Sequence, residues 1–127
     1  LVPVPLHPRR LRWRGFNQSA LLAEYVGKNL TTGFEIPNHP NLLQRKRYTP
    51  PQMKIKKYAQ RIANLQQAFS LRKTAATDMP NSLQGKTILL VDDVATTGTT
   101  LFECAKVLKA GGAKKVFAVV IARQEIK

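Results

Sequence analysis

Two adjacent carboxylates, Asp92 and Asp93, stand between a short apolar run and a string of hydroxyl residues. The stretch reads Ile88-Leu89-Leu90-Val91-Asp92-Asp93-Val94-Ala95-Thr96-Thr97-Gly98-Thr99-Thr100-Leu101. Residues of these types in this order can hold a phosphorylated sugar. Acids accept hydrogen bonds from vicinal hydroxyls or reach Mg2+ through water. Backbone N–H groups, helped by threonine hydroxyls, face a phosphate. A carboxylate beside a phosphate repels it, so the acids belong on the sugar and the loop on its phosphate.

The elements that must position these groups can be read from the flanks. Ile88 to Val91 is a buried strand, apolar on both faces as parallel strands between helices are, and the acids fall where that strand ends. Leu101, Ala105 and Leu108 begin an apolar stripe at helical spacing, which puts the hydroxyl run at a helix N-terminus, the positive end of the helix dipole. Gly98 lets the backbone approach a ligand closely. The bland alternative is a strand–turn–helix whose acids merely cap the helix.

The stretch resembles, along its whole length, the phosphoribosyl pyrophosphate (PRPP) motif of type I phosphoribosyltransferases. A phospho-acceptor receiver domain also carries two acids after its first strand, but it needs an acceptor Asp and a Lys on later strands. Only 34 residues follow Asp93, and their only acids are Glu103 and Glu125. No Walker A loop and no GxGxxG follows any strand.

With 127 residues and 43% apolar content the chain is expected to form one modest domain over residues 1–127. No apolar run approaches the ~18 residues of a membrane span. The single cysteine, Cys104, rules out an internal disulfide, reads as a core residue, and suits a reducing cytoplasm. The net charge of +14 is uneven: residues 1–85 carry 14 Lys and Arg against 3 acids, residues 86–127 carry 7 against 4. Such an excess implies a polyanionic ligand or partner, either a pyrophosphate-bearing substrate or nucleic acid.

Most of this charge lies upstream of the acid pair. Leu1 to Pro5 reads as a short edge strand, because its prolines cannot donate to a ladder on one side. Arg9, Arg10, Arg12 and Arg14 then crowd a loop around Trp13. Ser19 is the expected N-cap of a helix whose apolar face is Leu21, Leu22, Tyr25, Val26 and Leu30. The arginine forks, with Asn17 and Gln18 as neutral donors, could cradle pyrophosphate; the alternative is a solvated basic turn. His7 is the better placed histidine, while His39 reads as plain loop.

The run Val2 to Gln18, Val-Pro-Val-Pro-Leu-His-x-x-Arg-x-x-x-Arg-Gly-Phe-Asn-Gln, resembles the ComF family of competence-associated phosphoribosyltransferase-like proteins. The resemblance covers nearly the whole chain. In type I phosphoribosyltransferases the loop after this strand contacts pyrophosphate, often through a strained peptide bond, and would be Pro5-Leu6-His7 here. ComF proteins usually begin with a cysteine-rich zinc-binding segment, which is not present; the chain, starting at Leu1, is expected to be the later part of a longer protein.

A further segment, Arg45-Lys46-Arg47-Tyr48-Thr49-Pro50-Pro51 through Tyr58, is rich in Lys and Arg and free of acids. Its prolines exclude regular helix at their own positions, so it reads as a mobile basic loop, followed by an amphipathic helix marked by Tyr58, Ile62, Leu65 and Phe69. Such a loop is what a lid over PRPP requires. The pattern Leu43-x-Arg45-x-Arg47-x-Thr49-x-x-Gln52, then Arg61-x-x-Asn64, again resembles ComF proteins. Its alternative is a nucleic-acid-binding loop without chemistry. Residues 72–86 read as a loop. Gly111-Gly112 ends the helix after the acid pair, and Lys115 to Ala122 reads as a second fully buried strand, joined by a right-handed parallel crossover.

The expectation is an α/β fold, a mostly parallel sheet flanked by helices, with the site at the C-terminal edge of its strands. As the resemblance implies, PRPP binds with Mg2+. Asp92 and Asp93 hold the ribose and the metal, and Ala95, Thr96, Thr97, Gly98, Thr99 and Thr100 hold the 5′-phosphate. Leu6, His7, Arg10, Arg14, Arg45, Lys46 and Arg47 meet pyrophosphate. A nucleophile attacks C1 of the ribose and expels pyrophosphate. No residue stands out as a general base, and the acceptor is not legible. The competing readings are a non-enzymatic, single-stranded-DNA-binding accessory of transformation and a nucleobase salvage transferase. Single-stranded DNA or another polyanion, and a second copy of the chain, are the candidate partners.

Overall fold

The computed structural model describes residues 1–47, 65–73 and 83–125. At its centre is β4 (Thr87–Ala95), the strand carrying the acid pair. The run Ile88–Val91 has no polar side chain, and β-branched residues at both ends favour extended backbone. Two parallel neighbours flank it in the order β1-β4-β5. The first is β1 (Val2–Pro3), registered Val2 opposite Leu90 and Pro3 opposite Val91. The second is β5 (Lys115–Arg123), registered from Thr87 opposite Lys115 to Ala95 opposite Arg123. Among the described strands the proline-bearing one is thus an edge, as its missing N–H groups favour.

Side-chain alternation along β4 divides the core in two. Ile88 and Leu90 face a cluster with Cys104 and Leu108 of helix α3 (Thr99–Ala110), closed by Leu43 and Phe69. Val91 faces the other way, against Leu1 and Ala23 of helix α2 (Gln18–Asn29). Leu90 and Leu108 are fully buried, and removing either side chain to Ala would cost roughly 2–5 kcal/mol. Helix α3 crosses from β4 to β5, the expected parallel crossover. Gly112 takes the left-handed backbone after it, with φ 108°, while Gly111 stays in the helical region.

Several elements differ from expectation. The acid pair lies inside β4, which runs on to Ala95, because Asp92, Val94 and Ala95 keep their register with β5. Strand β5 is not buried on both faces. Phe117, Val119 and Ile121 are exposed, Ile121 by 71%, because no described element packs over that side of the strand. Residues 9–14, expected as loop, form helix α1 (Pro8–Arg14), with Pro8 at its first position and His7 as N-cap. Proline is tolerated there because the first N–H has no intrahelical partner. The N-cap of α2 is Asn17, not Ser19: its side chain accepts from Ser19 N. A two-stranded antiparallel sheet, β2 (Leu43–Arg45) with β3 (Phe69–Leu71), was not expected. Phe69 therefore sits in a strand, while Leu65 is helical; the expected helix before Leu65 lies outside the described residues, as does most of the basic loop.

Candidate functional site

Two cavities open at the C-terminal end of β4, and both are lined by Asp92 and Thr100. The first, about 130 Å3, is bounded by Val94, Ala95, Thr96, Thr97, Gly98, Thr99 and Leu101, with Leu65 opposite. The six loop residues assigned to the 5′-phosphate all line it. Gly98 is the N-cap of α3 in the left-handed region, φ 80°. An added Cβ there would meet nothing within 4 Å, so glycine is required by the backbone angle and not by crowding. Glycine brings no capping side chain, so none competes with an anion for the first-turn amides of Thr100 and Leu101 in α3. The Thr97 and Thr99 hydroxyls lie 2.7 Å apart, and Thr99 N donates to Thr97 Oγ1 at 3.3 Å. These bonds shape the turn before any ligand arrives.

The second cavity, about 280 Å3, is lined by Val4, Pro5, Leu6, Arg10, Arg14, Asn17, Gln18, Ser19, Arg45 and Asp93. Four separate elements converge here on the end of β4 and the start of α3: the end of β1, α1, the start of α2, and β2. Arg14 Nη1 donates to Gln18 Oε1 at 3.3 Å. Arg45 packs over the Phe69 ring, 5.4 Å from its centroid, and donates through Nε to Arg47 O. Burial pushes its pKa down, and the Arg10 charge adds to the effect. A guanidinium whose charge is disfavoured by burial and by a like neighbour is stabilised by an anion beside it.

The structure thus brings together most of the predicted pyrophosphate residues and leaves others apart. Leu6, Arg10, Arg14 and Arg45 line the basic cavity; His7, Lys46 and Arg47 do not. His7 is instead engaged as a helix cap, its Nδ1 accepting from Arg9 N at 3.1 Å. The peptide bonds of Pro5-Leu6-His7, like the others among the described residues, are trans.

Asp92 is the hinge between the cavities. Its Oδ1 accepts from the Ser19 hydroxyl at 2.8 Å and from Asp93 N at 2.9 Å. Burial nevertheless raises its pKa from 3.8 to about 6, with the Ser19 bond opposing and the neighbouring Asp93 carboxyl adding. Asp93 Oδ1 accepts from Val94 N at 2.8 Å. Among the described residues, no cluster of three or more His, Cys, Asp or Glu could cage a metal. A donor set of two carboxylates fits Mg2+ held largely by water and ligand oxygens, the cation's usual habit beside phosphates. Cys104 takes no part: burial pushes its thiol up to about 12.

Sequence reasoning missed Ser19 as a site residue, reading it as a cap. Asn17, foreseen as a pyrophosphate donor, spends its Nδ2 on Val4 O at 3.0 Å. Only the 73-residue separation between Ser19 and Asp92 hid their contact, since nothing local marks it.

The phosphoribosyl transferase domain family matches residues 42–127. The chain is also 35% identical over 123 residues to competence protein F of Haemophilus influenzae, covering 97% of this chain and 49% of that protein. It is 33% identical over 124 residues to competence protein ComFC of Bacillus subtilis, 97% of this chain and 44% of that one. A third relative is DNA utilization protein YhgH of Escherichia coli O157:H7, 35% identical over 116 residues, 91% and 45%. The chain spans about half the length of these curated relatives. It belongs to the phosphoribosyl transferase domain family, as a ComF-like member with the α/β, mostly parallel fold expected of it.

Proposed function

We propose that this chain binds PRPP across the two cavities and transfers its phosphoribosyl group, with release of pyrophosphate, in the handling of DNA during uptake. One observation carries the reading: a threonine-lined cavity and an arginine-lined cavity meet at a shared carboxylate. PRPP has the matching order, a 5′-phosphate at one end, a ribose diol in the middle and a pyrophosphate at the other. Residues 95–100 take the 5′-phosphate, Asp92 and Asp93 the diol, and Arg10, Arg14 and Arg45 the leaving group. Lys46 and Arg47, next along the chain from Arg45, are outer contacts in this reading.

The chemistry asked of the protein is electrostatic. As the C1–O bond to pyrophosphate breaks, the ribose gains oxocarbenium character and the leaving group gains charge. Carboxylates beside the ring stabilise the cation, and the arginines stabilise the leaving anion. Mg2+, held by Asp92 and Asp93 through water, would neutralise further phosphate charge. The association with DNA uptake rests on the names of the relatives, competence proteins and a DNA utilization protein.

A thermal-shift titration with PRPP and Mg2+ tests the reading: saturating ligand at about 100 times Kd stabilises by roughly 2.7 kcal/mol. No shift with PRPP, under conditions where a nucleoside monophosphate also gives none, would remove its basis.

A second reading, single-stranded DNA held on α1, is favoured by Trp13, which is 83% exposed among Arg9, Arg10, Arg12 and Arg14. An exposed indole on a helix that carries four arginines is a stacking platform for bases. Trp13→Ala should then weaken oligonucleotide binding by about 1–3 kcal/mol and leave PRPP binding unchanged. Affinity insensitive to added salt would argue against phosphate contacts on this surface.

A further inference from the structure

Ser19 lies on α2 and is 4% exposed, a position where alanine would satisfy packing. A hydroxyl is tolerated in such a place only when it has a partner, and its partner is the Asp92 carboxylate. That bond closes a ring of contacts. Val4 N donates to Val91 O at 2.9 Å. Val4 O accepts from Asn17 Nδ2 at 3.0 Å, and Asn17 Oδ1 accepts from Ser19 N at 3.1 Å. The Ser19 hydroxyl then reaches Asp92, the residue after Val91. Strand β1, the N-terminus of α2 and the acid end of β4 are thereby locked to one another.

We infer that Ser19 is a positioning residue: its hydroxyl fixes the Asp92 carboxylate at the boundary of the two cavities, so that Oδ2 is presented to the ribose hydroxyls. The inference rests on the reading of this site as a phosphoribosyl site. Both donors found for Asp92, the Ser19 hydroxyl and Asp93 N, converge on Oδ1, which leaves Oδ2 as the carboxylate's other acceptor. Rotation of the carboxylate would break both bonds at once. Ser19 also adjoins Gln18, which lines the arginine cavity and accepts from Arg14. The same helix turn therefore sets the acid on one side and the basic wall on the other.

The test compares ribose 5-phosphate, PRPP and inorganic phosphate by calorimetric titration in Mg2+, using the full chain. Ser19→Ala is expected to weaken ribose 5-phosphate and PRPP roughly tenfold, the loss typical of one hydrogen bond to a charged group. Inorganic phosphate, held by the threonine loop alone, should bind as before. Ser19→Thr keeps the hydroxyl and should restore most of the affinity. In an Asp92→Asn background, Ser19→Ala should cost nothing more, because it acts through that carboxylate.

Equal loss for inorganic phosphate, or full additivity with Asp92→Asn, would make Ser19 merely structural and overturn the inference. So would wild-type affinity in a folded Ser19→Ala protein. Should the alanine variant fail to fold, Ser19→Cys, a much weaker donor, takes its place with the same expectations. A wild-type chain that binds none of the sugar phosphates would instead sink the phosphoribosyl reading, and Ser19's role with it.

Discussion

The cavities on either side of Asp92 differ in how they are made. The threonine cavity comes almost entirely from one continuous segment, Asp92 to Leu101, with Leu65 as its only distant wall among the described residues. Its groups are neutral donors placed by a strand end, a left-handed glycine and a helix start. The arginine cavity is assembled from β1, α1, α2 and β2 around the acid end of β4, and its walls carry full charges; the pKa of Arg45 is lowered first by burial and then by the Arg10 charge. A site of the first kind is stiff and tolerant of changes elsewhere. A site of the second kind depends on the packing of each contributor, and becomes stable in its charged form when an anion arrives.

The sharpest way to break this comparison is at the shared wall. Asp92→Asn with Asp93→Asn should lower PRPP affinity by at least about 100-fold, the loss of two charged hydrogen-bond acceptors, while inorganic pyrophosphate still binds; a calorimetric titration with each ligand checks both halves. If pyrophosphate binding vanishes too, the cavities are not separable.

Next in size are the arginines. Arg10→Ala, Arg14→Ala and Arg45→Ala should each weaken PRPP about tenfold or more, with Arg45→Lys recovering little because a lysine lacks the planar fork. Ribose 5-phosphate, which has no pyrophosphate, should be nearly indifferent to all three. Equal losses for both ligands would mean that the basic wall is not the leaving-group side.

On the threonine side, Gly98→Ala forces a side chain into φ 80° and should destabilise the chain by about 1–2 kcal/mol, read as a lower midpoint in chemical denaturation. Because the added methyl would meet no atom within 4 Å, the cost should be strain alone. A loss several times larger would show crowding instead.

The smallest effect expected is on pH. Asp92 is protonated up to about pH 6 in the folded chain, against 3.8 ordinarily. Between those values the folded state holds a proton that the unfolded state has released. The contribution is therefore favourable below about pH 4 and is lost as pH rises through 6. Asp92→Asn should flatten that decline and make the ligand-free protein slightly more stable at neutral pH, measured by melting from pH 4 to 7. A half-buried acid kept at a stability cost is what a binding site demands.

These contrasts track what could be read in advance. The acid pair, the loop from Ala95 to Thr100 and the helix beginning at Thr99 were legible because hydrophobic run, glycine and helical stripe follow one another without interruption. The arginines were legible as charge but not as geometry. Arg10 and Arg14 were expected on a loop and lie on a helix, whose start is set by His7 and Pro8. His7 was misjudged for the same reason, since its ring serves that helix. The exposed side of β5 was misread because an apolar run looks alike whether or not anything packs on it.

Sequence alone therefore determined the threonine loop, its neighbouring acids and the excess of positive charge, because each depends on backbone sterics and side-chain chemistry within a few neighbouring residues. Tertiary structure alone decided which arginines face the acids, and that Ser19, 73 residues away, grips Asp92. Those contacts follow from α2 packing on one face of β4 and from β2 arriving beside it. Strand order and helix packing of that kind are settled by burying the whole core at once, and no local pattern records them.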